Sequence, residues 1–222
     1  MIDWIRKQAR GAELPETEGN LSLPLHLGDP GAEAAALRST AALLPSPGWA
    51  QILAEESDAV EYLHRRLSQS IKTLAVGSGA HALLLDGEGR MLADLIVYRG
   101  ADALMMITPR TQAETAFELL ERFILMDKVE LTRFWLNEPL VALAGPRAPE
   151  LIASLMDPRP DPARLAADPW AAFFTVNLAG LPCRVFGDGR FQVPFYHLSV
   201  PPMVLEQALG ALTDACRNVG GG

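Results

Sequence analysis

Several features that define particular classes of protein are missing from this chain of 222 residues. It has only two cysteines, Cys183 and Cys216, which are too few for a disulfide scaffold and do not form a CxxC pair. The four histidines have no HxxxH or HxH spacing, so we expect no zinc or other metal site. The sequence also lacks a recognisable nucleophilic triad.

Long apolar runs are missing too. No run reaches the roughly eighteen residues of a membrane span, and residues 1–18 lack the apolar stretch of a secretory signal. The net charge of −8 argues against nucleic-acid binding, which needs Lys and Arg to neutralise phosphates. Since 49% of the residues are hydrophobic, we expect a folded, cytoplasmic protein without membrane or nucleic-acid partners.

Hydrophobic periodicity predicts an ordered series of elements in the first half of the chain. The composition favours a helix over 32–44. Strands follow at 49–54, 81–85, 91–98, 103–107 and 129–135, and helices at 56–67 and 112–125.

The second half is predicted to repeat that order. Strands are expected at 140–144 and 172–177, a hairpin at 183–198 around Gly187-Asp188-Gly189, and helices at 148–155 and 204–216. Residues 158–169 are predicted to be a loop, because Pro160 and Pro162 disfavour a regular element.

Two hairpins in this series look alike. LLLDGEGRMLADLIVY and CRVFGDGRFQVPFYHL both contain a strand, a GxGR turn and a second strand. We interpret this as a weak internal duplication, although any two hairpins can share glycine turns. The predicted fold is α+β with two ferredoxin-like (β-α-β-β) lobes and antiparallel sheets, at about 49–137 and about 138–222, the second packed with residues 1–48.

Asp94 does not fit the strand in which it lies. Strand alternation places Asp94, Ile96 and Tyr98 on one face, and both faces of this strand are otherwise apolar. An ionised carboxylate without partners is costly to bury. Asp94 could therefore face a cavity that binds a flat polar ring, or it could cap the backbone or pair with an arginine such as Arg90 or Arg99.

The stretch ALLLDGEGRMLADLIVYR resembles the core motif of the aminomethyltransferase (glycine cleavage T protein) and YgfZ superfamily. AALRSTAALL resembles the early helix of that family, and the run from Asp58 to Ile71 its next helix. FILMDKVEL and LAGPRAPELI resemble segments typical of YgfZ-like members. The resemblance extends from about Glu33 to the end of the chain.

This resemblance implies a tetrahydrofolate-binding domain, with α+β lobes around a central channel and usually a C-terminal β-barrel. Asp94 would contact the reacting part of the folate, and Tyr98 is the aromatic residue that ends the motif. His81 takes a position where the transferases often have tyrosine, and Asp188 would correspond to an acidic residue of the second hairpin. Ile96 lies between Asp94 and Tyr98 on the same face.

The sequence also departs from the family pattern. Ala93 stands where aminomethyltransferases carry the first residue of an acidic pair, and Gln69-Ser70 stands where they usually have Asn-Asp. An asparagine common in the transferases is replaced near Ile107. The C-terminal barrel and the KGCxGQE motif of YgfZ proteins are absent, so the chain is either a fragment or a short relative.

Three functions are compatible with these observations. The first is a tetrahydrofolate-binding protein of the YgfZ type, linked to iron–sulfur protein maintenance, which the segments around 123–131 and 143–152 favour. The second is a tetrahydrofolate-dependent aminomethyltransferase. The third is an interaction protein that has kept the fold and lost the ligand. The expected partner is folate or a related pterin, and no motif identifies a protein partner.

Overall fold

The computed structural model contains two antiparallel β-sheets that pack face to face, with helices against their outer faces. It describes residues 29–46, 48–134, 138–178 and 180–218. Residues 1–28 of the predicted lead-in, Trp135 of a predicted strand and the glycines from 220 onwards lie outside the described residues. Within the described residues, no helix is both long and apolar enough to cross a membrane.

The strands up to residue 132 form the first sheet, except for the first strand, which belongs to the second sheet. The chain runs through α1 (Pro30–Ser39), β1 (Ala42–Pro45), β2 (Trp49–Glu55), α2 (Ala59–Arg66), β3 (Ser78–Leu85), β4 (Met91–Arg99), β5 (Leu104–Pro109), α3 (Arg110–Arg122) and β6 (Glu130–Thr132). The strand order of the first sheet is β3-β4-β5-β2-β6.

Later elements form the second sheet. They are β7 (Leu140–Ala144), α4 (Ala148–Leu155), β8 (Met156–Asp157), α5 (Pro162–Ala167), β9 (Phe173–Leu178), β10 (Leu181–Gly187), β11 (Phe195–Ser199) and α6 (Leu205–Asn218). Short 3-10 turns cover Pro169–Ala171 and Pro202–Val204. The strand order is β1-β7-β11-β10-β9-β8.

The two sheets share one topology. In the first, β2 lies beside the last strand of a three-stranded meander, giving the order β2-β5-β4-β3, and in the second the order β7-β11-β10-β9 is equivalent. The predicted α+β class with two antiparallel lobes is therefore confirmed.

The predicted equivalence of the two GxGR hairpins is wrong. The Gly87–Gly89 turn joins β3 to β4. Gly187–Gly189 instead begins at the last residue of β10 and leads towards β11, which corresponds to the β4–β5 connection. The glycines also serve different purposes. Gly89 has a φ of +81°, while a Cβ on Gly187 would lie 1.9 Å from the carbonyl oxygen of Pro169. A short glycine pattern indicates that a side chain is disfavoured, but it does not show whether a positive φ or a close backbone contact is the reason.

Strand β4 is covered on both sides, as its composition predicts. Ala93, Leu95 and Val97 pack into a core with residues of α2 and α3. Ile96 and Tyr98 face the other way, into an apolar cluster between the sheets. The Tyr98 ring lies over Gly79, where an added Cβ would come within 2.5 Å of it.

Two local predictions are corrected by the structure. The helix predicted over 32–44 ends at Ser39, and 42–45 form β1, which pairs with β7. The loop predicted over 158–169 contains α5, because Asp161 caps the helix and Pro162 occupies its first turn, where a missing N–H is harmless. In both places the composition was a poor guide to the local structure.

The two cysteines are separate free thiols, and both are buried. Burial raises the pKa of Cys183 to about 12 and that of Cys216 to about 11. Because the thiolate is the nucleophile, neither side chain is suited to nucleophilic chemistry near neutral pH.

Candidate ligand-binding site

Asp94 lies on β4 at the point where the pairing with β5 stops. That pairing covers Ile96 to Arg99, so the Asp94 backbone is bound by side chains instead. Its N–H donates to Gln112 Oε1 at 2.8 Å, and Thr108 Oγ1 donates to its carbonyl oxygen at 2.8 Å. These bonds fix the backbone of Asp94 and hence the direction of its carboxylate.

The Asp94 carboxylate has one partner in its own sheet. His81 of β3 is a diagonal neighbour on the same face, since His81 pairs with Ile96 and Leu83 with Asp94. His81 Nε2 lies 2.6 Å from Asp94 Oδ1. Both side chains remain partly exposed, at 43% for His81 and 30% for Asp94.

A second partner of Asp94 comes from the other sheet. Arg190, in the turn between β10 and β11, places Nη1 3.2 Å from Asp94 Oδ2. The arginines suggested by the sequence have other partners, because Arg90 binds Asp86 and Arg99 donates to backbone carbonyl groups. Asp94 therefore has an arginine partner, but one that lies 96 residues away.

Asp188 holds the other side of Arg190. Arg190 Nε lies 3.0 Å from Asp188 Oδ1 and Nη2 lies 2.8 Å from Oδ2, which gives a forked pair. The Arg190 backbone N–H also donates to Oδ1, and His197 Nε2 lies 3.3 Å from Oδ2. Asp188 itself is fully buried.

These contacts decide the charge of Asp188. Burial alone would raise the pKa of its carboxyl group, but hydrogen bonds from His197 and Arg190 outweigh burial and lower the pKa to about 2. Burial lowers the pKa of His197, so its imidazole is neutral at pH 7. Asp188 is therefore an ionised carboxylate in the interior, paired with a cation and a neutral ring.

The lowered pKa of Asp188 predicts how the stability of the protein depends on pH. The stabilising effect is present above the unfolded pKa of 3.8 and is lost as the pH falls through the folded value of about 2. We expect Asp188 to contribute about 2 kcal/mol that disappears over this window. Urea unfolding of wild type and Asp188→Asn at pH 7, 4 and 2.5 measures this, since the difference between them should shrink with acid. A difference that is constant across pH would contradict the assignment.

Aromatic side chains surround this charged group. The Trp49 ring centroid lies 5.2 Å from Arg190 Cζ and 5.5 Å from the His197 ring. Phe195 lies 5.0 Å from His197, and Phe191 stacks on Phe195 at 4.2 Å. The site therefore has apolar walls and a charged centre, which strengthens its electrostatic interactions.

A buried polar seam continues from Trp49 along β2 and from His197 along β11. Gln51 Nε2 donates to Ser199 Oγ at 3.2 Å, and Gln51 and Ser199 lie two residues from Trp49 and His197 on the same faces. Among the described residues, Gln51 Oε1 and His197 Nδ1 are buried and have no hydrogen-bond partner. Such atoms are uncommon in protein interiors, and a functional role is one of the explanations for them.

The structure brings together three of the five residues predicted to bind a ligand. Asp94 contacts both His81 and Arg190, and Arg190 in turn contacts Asp188. Ile96 and Tyr98 share the face of Asp94, as alternation predicts, but are fully buried in the cluster between the sheets. The Tyr98 hydroxyl donates to the Gly187 carbonyl oxygen at 3.0 Å.

Three further residues of the site escaped the sequence interpretation: Arg190, His197 and Gln51. Gln51 could have been found by the argument used for Asp94, since it is a polar residue in the apolar strand WAQILA. Arg190 directly follows Asp188-Gly189 in the turn. Only the packing of the sheets brings it to Asp94.

A different surface cleft, of about 650 Å³, lies beside the connection from α3 to β6. Its lining includes the acidic residues Glu56, Glu121, Asp127 and Glu130, and none of the predicted site residues. In the described part of the chain, no group of three or more His, Cys, Asp or Glu side chains is arranged to hold a metal ion.

The protein is an α+β domain in which two antiparallel sheets share one topology. Asp94 from one sheet and Asp188 from the other both contact Arg190 where the sheets meet. Residues 8–216 match the family model described as the GCVT N-terminal domain, and the chain belongs to that family.

Curated relatives agree with this assignment. The chain is 28% identical over 212 residues to an aminomethyltransferase of Streptomyces coelicolor, a match covering 94% of this chain and 55% of the relative. It is 27% identical to a probable aminomethyltransferase of Halobacterium salinarum, covering 96% of this chain and 58% of the relative. The chain thus spans about half the length of these relatives.

Solved structures show the same fold. The glycine cleavage system aminomethyltransferase T from Bartonella henselae superposes with a TM-score of 0.75 at 19% identity, over 95% of this chain and 55% of that one. A chain of the heterotetrameric sarcosine oxidase from Corynebacterium sp. U-96 gives a TM-score of 0.60 at 16% identity, over 86% and 92%.

Proposed function

We propose that this chain is a tetrahydrofolate-binding domain whose reduced folate binds against Asp94 at the junction of the two sheets. The observation that carries the proposal is the position of Asp94. Its partly exposed carboxylate joins a charged cluster between the sheets, in a chain that belongs to the GCVT N-terminal domain family.

The residues at the junction fit the chemistry of a reduced pterin. A pterin presents an amino group and ring N–H groups, which need hydrogen-bond acceptors. Asp94 supplies a carboxylate, and Gln51 Oε1 is a buried acceptor without a partner among the described residues. Hydrogen bonds to a carboxylate are stronger than neutral ones, so Asp94 is the main anchor in this proposal.

Aminomethyl transfer is the activity that the relatives favour, since those named above are aminomethyltransferases. The bound folate would accept the one-carbon unit. In this proposal Asp94 orients the reacting amine, and the 2.6 Å contact between His81 Nε2 and Asp94 Oδ1 lets the pair hold or pass a proton there. Asp188 acts on the ligand through Arg190, because its own carboxylate is buried.

Folate binding without turnover, as in YgfZ-type proteins, is the second candidate. Two segments that resemble YgfZ-like members support it, FILMDKVEL and LAGPRAPELI. The contacts of Asp94 support it too, because its two carboxylate oxygens already contact His81 and Arg190. Neither oxygen can then take a proton from a ligand without breaking an existing contact. A turnover assay with tetrahydrofolate and an aminomethyl donor separates the two candidates.

A calorimetric titration of wild type and Asp94→Asn with tetrahydrofolate tests the proposal. Asparagine keeps the shape but loses the charge, so binding should weaken by about 1.5–3 kcal/mol, the usual loss for a hydrogen bond to a charged group. This corresponds to a Kd raised roughly 10- to 150-fold.

Asp86→Asn is the matched control, because Asp86 is a carboxylate of the neighbouring turn that pairs with Arg90. It should leave the Kd of tetrahydrofolate unchanged. If wild type and Asp94→Asn bind equally, or neither binds at millimolar ligand, the assignment is wrong. In either case Asp94 would be a structural partner of Arg190, and absence of binding by both proteins would indicate a fold kept without the ligand.

A further inference from the structure

Arg190 connects two carboxylates that belong to different sheets. Its guanidinium reaches Asp188 at the end of β10 and Asp94 on β4. The Arg190 side chain is 20% exposed, so the bridge lies at the border between interior and solvent. The Asp94 side chain is 30% exposed, so a ligand can reach its carboxylate at the point where Arg190 contacts it.

The two halves of the bridge differ in strength. Toward Asp188, Arg190 makes a fork with both carboxylate oxygens, and the acid is fully buried. Toward Asp94 it has one contact of 3.2 Å, at the long end of the range of about 2.7–3.2 Å for such bonds. Arg190 is thus anchored on Asp188 and only lightly held by Asp94.

Asp94 Oδ2 is the oxygen at which a ligand and Arg190 would compete. Oδ1 is engaged by His81 at 2.6 Å, whereas Oδ2 is held by Arg190 Nη1. An N–H donor of a ligand that takes Oδ2 must displace Nη1. Arg190 would keep its fork on Asp188, so the exchange leaves no buried charge unpaired.

We propose that Arg190 is an internal competitor for Asp94, and that reduced folate binds by taking over the Oδ2 position that Arg190 Nη1 occupies. This inference rests on the proposed folate-binding function and adds the residue that sets its affinity. Arg190 therefore lowers the affinity of the site for any ligand that donates a hydrogen bond to Asp94, because its own contact with Asp94 must be broken first.

Arg190→Lys tests the competition. A lysine keeps a positive charge beside Asp188, but its single ammonium group cannot span both carboxylates as the guanidinium fork does. We expect the Kd of tetrahydrofolate, measured by calorimetry, to fall by about three- to tenfold, the equivalent of one net hydrogen bond. Arg190→Gln, which keeps a donor for Asp188, should change the Kd in the same direction.

Two comparisons make the result specific. In an Asp94→Asn background the gain from Arg190→Lys should disappear, because the contested carboxylate is gone. Arg184→Lys is the matched control, since Arg184 is a half-buried arginine of the same sheet that pairs with Glu138 rather than Asp94. It should leave the Kd unchanged, and thermal unfolding checks that each variant is folded.

The outcomes separate this inference from the function on which it rests. If wild type binds tetrahydrofolate and folded Arg190→Lys and Arg190→Gln bind equally or more weakly, Arg190 does not compete, and the folate assignment stands. If only the Arg190 variants bind, both ideas are supported. If no protein in the series binds tetrahydrofolate, the proposed function and this inference fail together.

Discussion

Replacing Asp188 with alanine is expected to lower the free energy of unfolding by about 3–5 kcal/mol at neutral pH. The reason is the partner that would remain. Arg190 stays charged, and it would lose the forked pair with Asp188 and keep a single 3.2 Å contact with Asp94. His197 would also lose its hydrogen bond to Asp188 while remaining fully buried. Urea unfolding at pH 7 measures the loss.

Two further variants show whether the unpaired charge of Arg190 causes the loss of stability. Asp214→Ala removes an exposed carboxylate that lies 3.9 Å from Arg217, and should change stability by no more than about 0.5 kcal/mol. Asp188→Ala combined with Arg190→Met removes both charges and should recover much of the loss. If the double variant is as unstable as the two single losses added together, the pair is not the source of the effect.

Periodicity predicted the strand face on which Asp94 lies, but it could not identify the arginine that pairs with it. Alternation placed Asp94, Ile96 and Tyr98 on one face, and the structure confirms that arrangement. The arginines close to Asp94 in the sequence, Arg90 and Arg99, have other partners. A sheet face is set by local geometry, whereas the pair with Arg190 depends on how the two sheets meet, which no local pattern encodes.

The fold class could also be predicted from the sequence, because it too depends on local patterns. Strand and helix order predicts an α+β fold with antiparallel sheets, because consecutive strands joined by short turns pair in antiparallel fashion. The equivalence of the two hairpins was not accessible, since Gly187 is required by the approach of Pro169, a tertiary contact. The same holds for β1, which forms by pairing with β7.

Tyr98→Ala is the second large effect expected, again about 3–5 kcal/mol of unfolding free energy. The Tyr98 ring is fully buried and lies 5.6 Å from the Phe173 ring and 5.1 Å from the Phe186 ring. Removing it leaves a cavity between the sheets, which the surrounding rings can fill only in part. Thermal or urea unfolding measures the loss.

Tyr98→Phe separates the role of the ring from that of the hydroxyl. It keeps the packing and removes only the donor to the Gly187 carbonyl oxygen, so stability should fall by about 1–2 kcal/mol. Because that hydroxyl is already bound to Gly187, we expect the Kd of tetrahydrofolate to change by less than about threefold, well below the effect of a lost charge-assisted bond. A folded Tyr98→Phe that loses tenfold or more in affinity would show that the hydroxyl leaves Gly187 to contact the ligand. Tyr98 would then belong to the binding surface with Asp94, as the family resemblance implies, rather than to the packed layer that supports it.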